Sequence, residues 1–277
     1  MGLSSNILWH QTNKKSFYEI LNSKKLLYSY CQERIILAFK LKPVAFPMIS
    51  LSDYPLSEIN HNKWAYGNYC IGFKQKWGVE AGFSPVWYCS YGSRGIRQLN
   101  ILLAEAIKNN SKYLNGVIMY MFANMKLVDA PLETKNKIFN QYRFYDEREW
   151  RLVPYITETD KAGVLPYLTD VAYKKYKDEH DNSSLLEIGV DFQYDDISYI
   201  IVETDSEVQK ARDIVGNKIH IFTKAEVIED VEGVDHHDEI IPSQEQQDIE
   251  AARRQLDRIK KAWIEAAERR KTKSNGK

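Results

Sequence analysis

The sequence predicts an α+β fold: a twisted, mixed, largely antiparallel sheet flanked by helices, in one domain with a helical C-terminal extension. Three observations predict it. Short runs of strand-like alternation recur along the chain, segments with apolar residues at helical spacing stand between them, and a strand–helix–strand order occurs near the end. The domain is expected over residues 1–230, followed by an acidic linker at 231–242 and a basic amphipathic helix at 243–277.

The first element is a short strand, Ile7-Leu8-Trp9-His10-Gln11-Thr12, with Leu8, His10 and Thr12 on one side. A helix over residues 13–23 follows, marked by Phe17, Ile20 and Leu21. The apolar run ERIILAFKL at 33–41 suits a strand or a helix. Pro43 and Pro47 rule out a continuous helix after it. Residues 48–52 then read as a strand, with Met48, Ser50 and Ser52 facing one way and Ile49 and Leu51 the other. Residues 56–65 suit a short helix carrying His61, and 66–73 a turn plus strand. The glycines of that turn match no dinucleotide or phosphate-loop fingerprint.

FSPVWYC at 83–89 predicts another strand, and Ile96, Leu99, Leu103, Ala106 and Ile107 mark a helix to about residue 109. A second helix is expected over 113–125. Residues 130–140 are polar and lead into the strand-like 144–154. Residues 157–184, rich in Lys, Asp and Tyr, read as a lid or insertion with some helix around 171–177. Order resumes at 185–192, then come a strand at 197–203, a helix at 206–215 stopped by Gly216-Asn217, and a strand at 218–222.

Composition narrows the function classes. With 38 basic and 38 acidic residues the net charge is zero, which argues against wholesale electrostatic capture of nucleic acid or anionic membrane. Three scattered cysteines, Cys31, Cys70 and Cys89, suit neither a disulfide framework nor a zinc finger. The N-terminus lacks the pattern of a signal peptide, and no apolar run approaches the ~20 residues of a membrane span. A cytoplasmic protein, with no membrane and no metal, is expected. His236 and His237 stand in an acidic stretch that reads as a solvated loop, since side chains adjacent in sequence rarely converge on a metal. The basic helix, with Ile249, Ala252, Leu256, Ile259 and Trp263 in one stripe, suits docking, a protein partner or nucleic acid.

The stretch with most chemistry is FYDEREWRLVP, residues 144–154. Read as a strand, it puts Glu147, Glu149 and Arg151 on one face and Arg148, Trp150 and Leu152 on the other. Charges at the mouth of an apolar strand are costly unless they pair or meet a ligand, so the face is either a paired structural network or a site.

Three segments in order carry a resemblance: His10-x-Thr12 before a helix, PMISLSDYPLSEI with the following YGNYCIGFKQKWG, and FYDEREWRLVP. Together, over roughly residues 7–230, they resemble the AbiGi family of abortive phage-resistance proteins, usually described as the antitoxin side of an abortive-infection pair. Gln11 and Leu51-Ser52 depart from the family's usual residues. The same order of motifs is distantly similar to ADP-ribosyltransferases, including the DarT-like branch. That likeness implies NAD as cofactor, Glu149 as the catalytic carboxylate with Glu147 assisting, and a pocket lined by His10, Thr12, Ser50, Ser52 and Tyr54. Cleaving the nicotinamide–ribose bond passes through an oxocarbenium-like state that a carboxylate can stabilise. The alternative implied by the family is a non-catalytic antitoxin or sensor that binds a partner protein.

Overall fold

The structure, a computed structural model, describes residues 6–38, 40–56, 59, 66–133, 138–179 and 185–229. The expected acidic linker at 231–242, the basic helix at 243–277, His61, His236 and His237 lie outside the described residues.

In chain order, strand β1 (Ile7–Thr12) leads to helix α1 (Lys14–Ser23), which starts where the Asn13 side chain accepts the backbone N–H of Ser16 at 3.1 Å. Two long strands, β2 (Lys25–Leu37) and β3 (Lys40–Ser52), then form a hairpin. The ambiguous run at 33–41 is therefore strand, and the strand expected at 48–52 is the end of a thirteen-residue one that carries both prolines. Next come β4 (Tyr69–Lys74), α2 (Gln75–Glu80), β5 (Ser84–Pro85) and β6 (Trp87–Cys89). The single strand expected at 83–89 is thus two, because its halves pair with different partners.

Helices α3 (Arg94–Lys108) and α4 (Lys112–Ala123) follow as their spacing predicts, then β7 (Met125–Leu127) and a hairpin of β8 (Asp129–Glu133) and β9 (Ile138–Arg143) that the polar composition concealed. The 144–154 stretch is not one strand. Phe144–Glu147 is a turn of 3-10 helix, Arg148 takes a left-handed φ of +43°, and only β10 (Glu149–Leu152) is extended. Residues expected to form a lid become α5 (Ile156–Lys161), β11 (Leu168–Thr169) and α6 (Asp170–Glu179), and β11 pairs with β3. Strand β12 (Leu185–Asp191) precedes the crossover, in which β13 (Ile197–Val202), α7 (Asp205–Val215) and β14 (His220–Thr223) make the expected parallel pair. Helix α8 (Lys224–Glu229) ends the described chain.

Among the described residues the main sheet has ten strands, in the order β12-β2-β3-β1-β4-β13-β14, with β10 and β11 paired to β3 and β5 paired to β10. Its pairings are antiparallel except that of β13 with β14, as the fold class predicts. One face is covered by a continuous apolar cluster that includes Leu8, Phe17, Tyr28, Ile49, Ile71 and Val202. The other face carries two separate clusters. Phe46 and Met48 pack under α3 and α4, while Trp9, Cys70 and Ile201 form a smaller group with Tyr54. Between those two clusters the sheet is left open.

Candidate functional site

That opening is a cleft of about 810 Å³. Its floor is the sheet: Ser29, Cys31 and Glu33 from β2, and Met48, Ser50 and Ser52 from β3. The alternation predicted for residues 48–52 holds, since Ile49 and Leu51 join the apolar cluster on the opposite face. Trp9, His10 and Gln11 of β1 form one wall with Tyr54. Lys126, Phe144, Glu147 and Tyr66 form the other.

Of the residues singled out for a site, His10, Ser50, Ser52, Tyr54, Glu147 and Glu149 all line this cleft. Thr12 does not. It is buried, and its carbonyl lies against Gly67, where a Cβ would come within 2.0 Å of the oxygen. Among the described residues, none of the expected lid lines the cleft; its strand β11 pairs with β3 instead.

The cleft is organised by a buried ionic cluster. Glu149 sits opposite Ser52 in the β10–β3 ladder, and Arg151 opposite Ser50. Arg151 has no exposed side chain and grips Glu149 with two bonds, Nε to Oε1 at 2.6 Å and Nη2 to Oε2 at 2.9 Å. Its Nη1 donates to the Ala123 carbonyl at 2.7 Å, and Nη2 also pairs with Glu33. Lys126 donates to Glu149 Oε2 at 2.6 Å and to Glu147 Oε2 at 2.8 Å. Ser50 Oγ donates to Glu149 Oε1 at 2.7 Å, and the Tyr66 hydroxyl to Glu147 Oε1 at 2.9 Å. The backbone N–H of Glu149 is taken by the Tyr88 hydroxyl at 2.8 Å.

Electrostatics follow from this packing. Although burial opposes its charge, the Arg151 guanidinium and Lys126 ammonium hold the Glu149 carboxyl well below the usual carboxylate range. Both cations stay protonated, because neighbouring carboxylates outweigh their desolvation. Glu33 behaves oppositely: burial raises its pKa despite Arg151. Burial also lowers the pKa of His10, with the Ser50 carbonyl 3.3 Å from Nδ1 working the other way.

Glu147, Glu149 and Arg151 do meet on one side, but not by strand alternation. The 3-10 turn and the left-handed Arg148 swing Glu147 back over the floor. Sequence reasoning missed Lys126 and Glu33. A signal existed for each: Lys126 interrupts the apolar Met125 and Leu127, all three buried, and Glu33 lies within a long strand, just before the apolar Ile35-Ile36-Leu37. Among the described residues, no group of three or more His, Cys, Asp or Glu side chains is placed to hold a metal ion.

The model of the family described as "Putative abortive phage resistance protein AbiGi, antitoxin" matches residues 16–203. The chain belongs to the AbiGi family. An AbiGi abortive phage resistance protein from Lactococcus lactis subsp. cremoris is 24% identical, over 59% of this chain and 74% of its own. The family match spans Glu33, Ser50, Lys126, Glu147, Glu149 and Arg151, while His10 and Thr12 precede it. AbiGi membership places the chain in abortive phage resistance. No solved structure matches it.

Proposed function

We propose that this AbiGi protein is a non-catalytic antitoxin or sensor of an abortive-infection system, and that the cleft between β1, β3 and the Lys126 wall is where it recognises its ligand. The family's description as an antitoxin supports a partner within the same defence system. The observation that carries the reading is the state of Glu149. Each of its oxygens already accepts two hydrogen bonds, from Ser50 and Arg151 on one and from Lys126 and Arg151 on the other. A carboxylate has about four lone-pair sites, so none is left for a ribose hydroxyl or an acceptor proton. A general base works near the ambient pH, and Glu149 is held far below it. Its negative field is cancelled by two cations within hydrogen-bond distance.

A second reading, NAD-dependent ADP-ribosyl transfer, is favoured by one observation. Ser50 donates to Glu149 in a cleft that His10, Ser52 and Tyr54 also line, and the cleft is within the size range of small-ligand sites. In that reading NAD supplies the ADP-ribosyl group, the ring of Tyr54 and the imidazole of His10 hold it, and Glu149 opposes the developing positive charge. Expressing the wild type and Glu149→Gln alone in bacteria separates the two. The binding reading expects unimpaired growth and lysates without ADP-ribose label for both proteins. Growth arrest with label, both lost in Glu149→Gln, would establish the transferase.

A further inference from the structure

The cleft floor carries more carboxyl groups than cations. Glu33, Glu147 and Glu149 face Lys126 and Arg151, and burial raises the pKa of Glu33, so it is the one of the three that a further cation would hold in its ionised form. The other ionisable groups around them are neutral near pH 7. Burial raises the Cys31 thiol and the phenols of Tyr66, Tyr88 and Tyr142, and lowers His10. Arg34, next to Glu33 in β2, reaches the cleft rim, but its side chain is exposed and solvent screens it.

The deficit is local. Glu149 is saturated, and Glu147 accepts from Lys126 and Tyr66. Glu33 is different: Oε1 pairs with Arg151, Oε2 has no partner among the described residues, and 16% of the side chain remains exposed. A second group is also short of a partner. Gln11 lines the same cleft, and its Oε1 accepts from the Tyr66 N–H at 3.3 Å, yet its buried Nε2 donates to nothing among the described residues. One partly exposed carboxyl oxygen without a partner and one buried donor with no acceptor describe a ligand with two poles.

We propose that the cleft takes an organic cation that also bears a carbonyl or hydroxyl oxygen, its ammonium or guanidinium at Glu33 and its oxygen at Gln11. An arginine or lysine residue of a partner protein has this chemistry, and so does a small amino compound. The Phe144 ring on the wall already carries a cation, the Lys126 ammonium 4.6 Å from its centre. This inference rests on the binding reading above and assigns the class of its ligand.

Carbon-13 methyl-methionine NMR of the full chain tests it, because Met48 lines the cleft while Met119, a residue of α4 in the same apolar cluster, does not. N-acetyl-arginine amide, agmatine and NAD serve as probes. The amide is expected to shift the Met48 methyl and leave Met119 unmoved, with affinity lowered about tenfold in Glu33→Gln, as for loss of a charged hydrogen bond. Agmatine, which has the guanidinium and no carbonyl, is expected to bind more weakly. Equal binding of agmatine would overturn the role of Gln11 and make a small amine the source. A Met48 shift with NAD alone, or with no probe, would overturn the proposal, and the wild-type titrations decide this even if Glu33→Gln does not fold. A silent Met48 beside harmless, unlabelled expression would remove the charge inference and leave the binding reading standing.

Discussion

Arg151 donates to Glu149, to Glu33 and to the Ala123 carbonyl, so it fixes both strands beneath the cleft and the end of α4. Replacing it by Met leaves two carboxylates without their guanidinium. A buried pair broken on one side costs about 3–5 kcal/mol, and urea denaturation of Arg151→Met is expected to show a loss of that size. His10 makes a prediction about pH. Its folded pKa is lowered, so as pH falls below about 6.5 the unfolded chain binds a proton that the folded chain refuses, and stability drops. His10→Asn is expected to lose less stability than wild type between about pH 7 and about pH 5, read from midpoints of thermal unfolding. Of these residues, Glu149 and Arg151 were legible from their spacing, whereas Glu147 joins them through a 3-10 turn that the spacing does not show. Lys126 was not, because the carboxylates it bridges lie twenty-one and twenty-three residues further along the chain.

At the scale of elements, the β2–β3 hairpin depends on a side chain of α3. Asn100 is buried, donates to the Ile36 carbonyl at 2.8 Å and accepts the Ala38 N–H at 2.7 Å, which caps a turn where Ala38 has a φ of +48°. Asn100→Leu keeps the volume and removes both bonds. The stranded backbone groups are expected to cost about 1–3 kcal/mol in the same denaturation assay. The long strands were only partly visible in the sequence. Alternation at 48–52 gave the end of β3, but Pro43 and Pro47 hid its first half, since prolines usually mark interruptions and here sit within the strand. The 144–154 stretch misled in the other direction: its alternation is real, yet a left-handed residue, Arg148, separates a 3-10 turn from a four-residue strand. Single residues at positive φ without glycine leave little trace in a pattern.

For the molecule as a whole, the α+β class, the antiparallel core of the sheet and the terminal crossover follow from periodicity and stop signals. What periodicity does not contain is coverage. One sheet face carries a continuous apolar layer, while the other is covered in two patches that leave Ser29, Ser50 and Ser52 open between them. Those serines mark the gap in the sequence, but only the packing of α3, α4 and the Lys126 wall makes it a cleft. The balanced overall charge conceals a floor with more carboxyls than cations, where a half-paired one, Glu33, stands beside a locked one, Glu149.

The account turns on that locked carboxylate. Carbon-13 NMR of the glutamate side-chain carboxyls, with Glu149 assigned by comparison with Glu149→Gln, measures its ionisation directly. A Glu149 resonance that stays in the carboxylate form down to the acid limit of the folded state would match the pairing with Lys126 and Arg151. Titration at or above the ordinary glutamate value of about 4.3 would show a carboxylate free for chemistry and contradict the binding account.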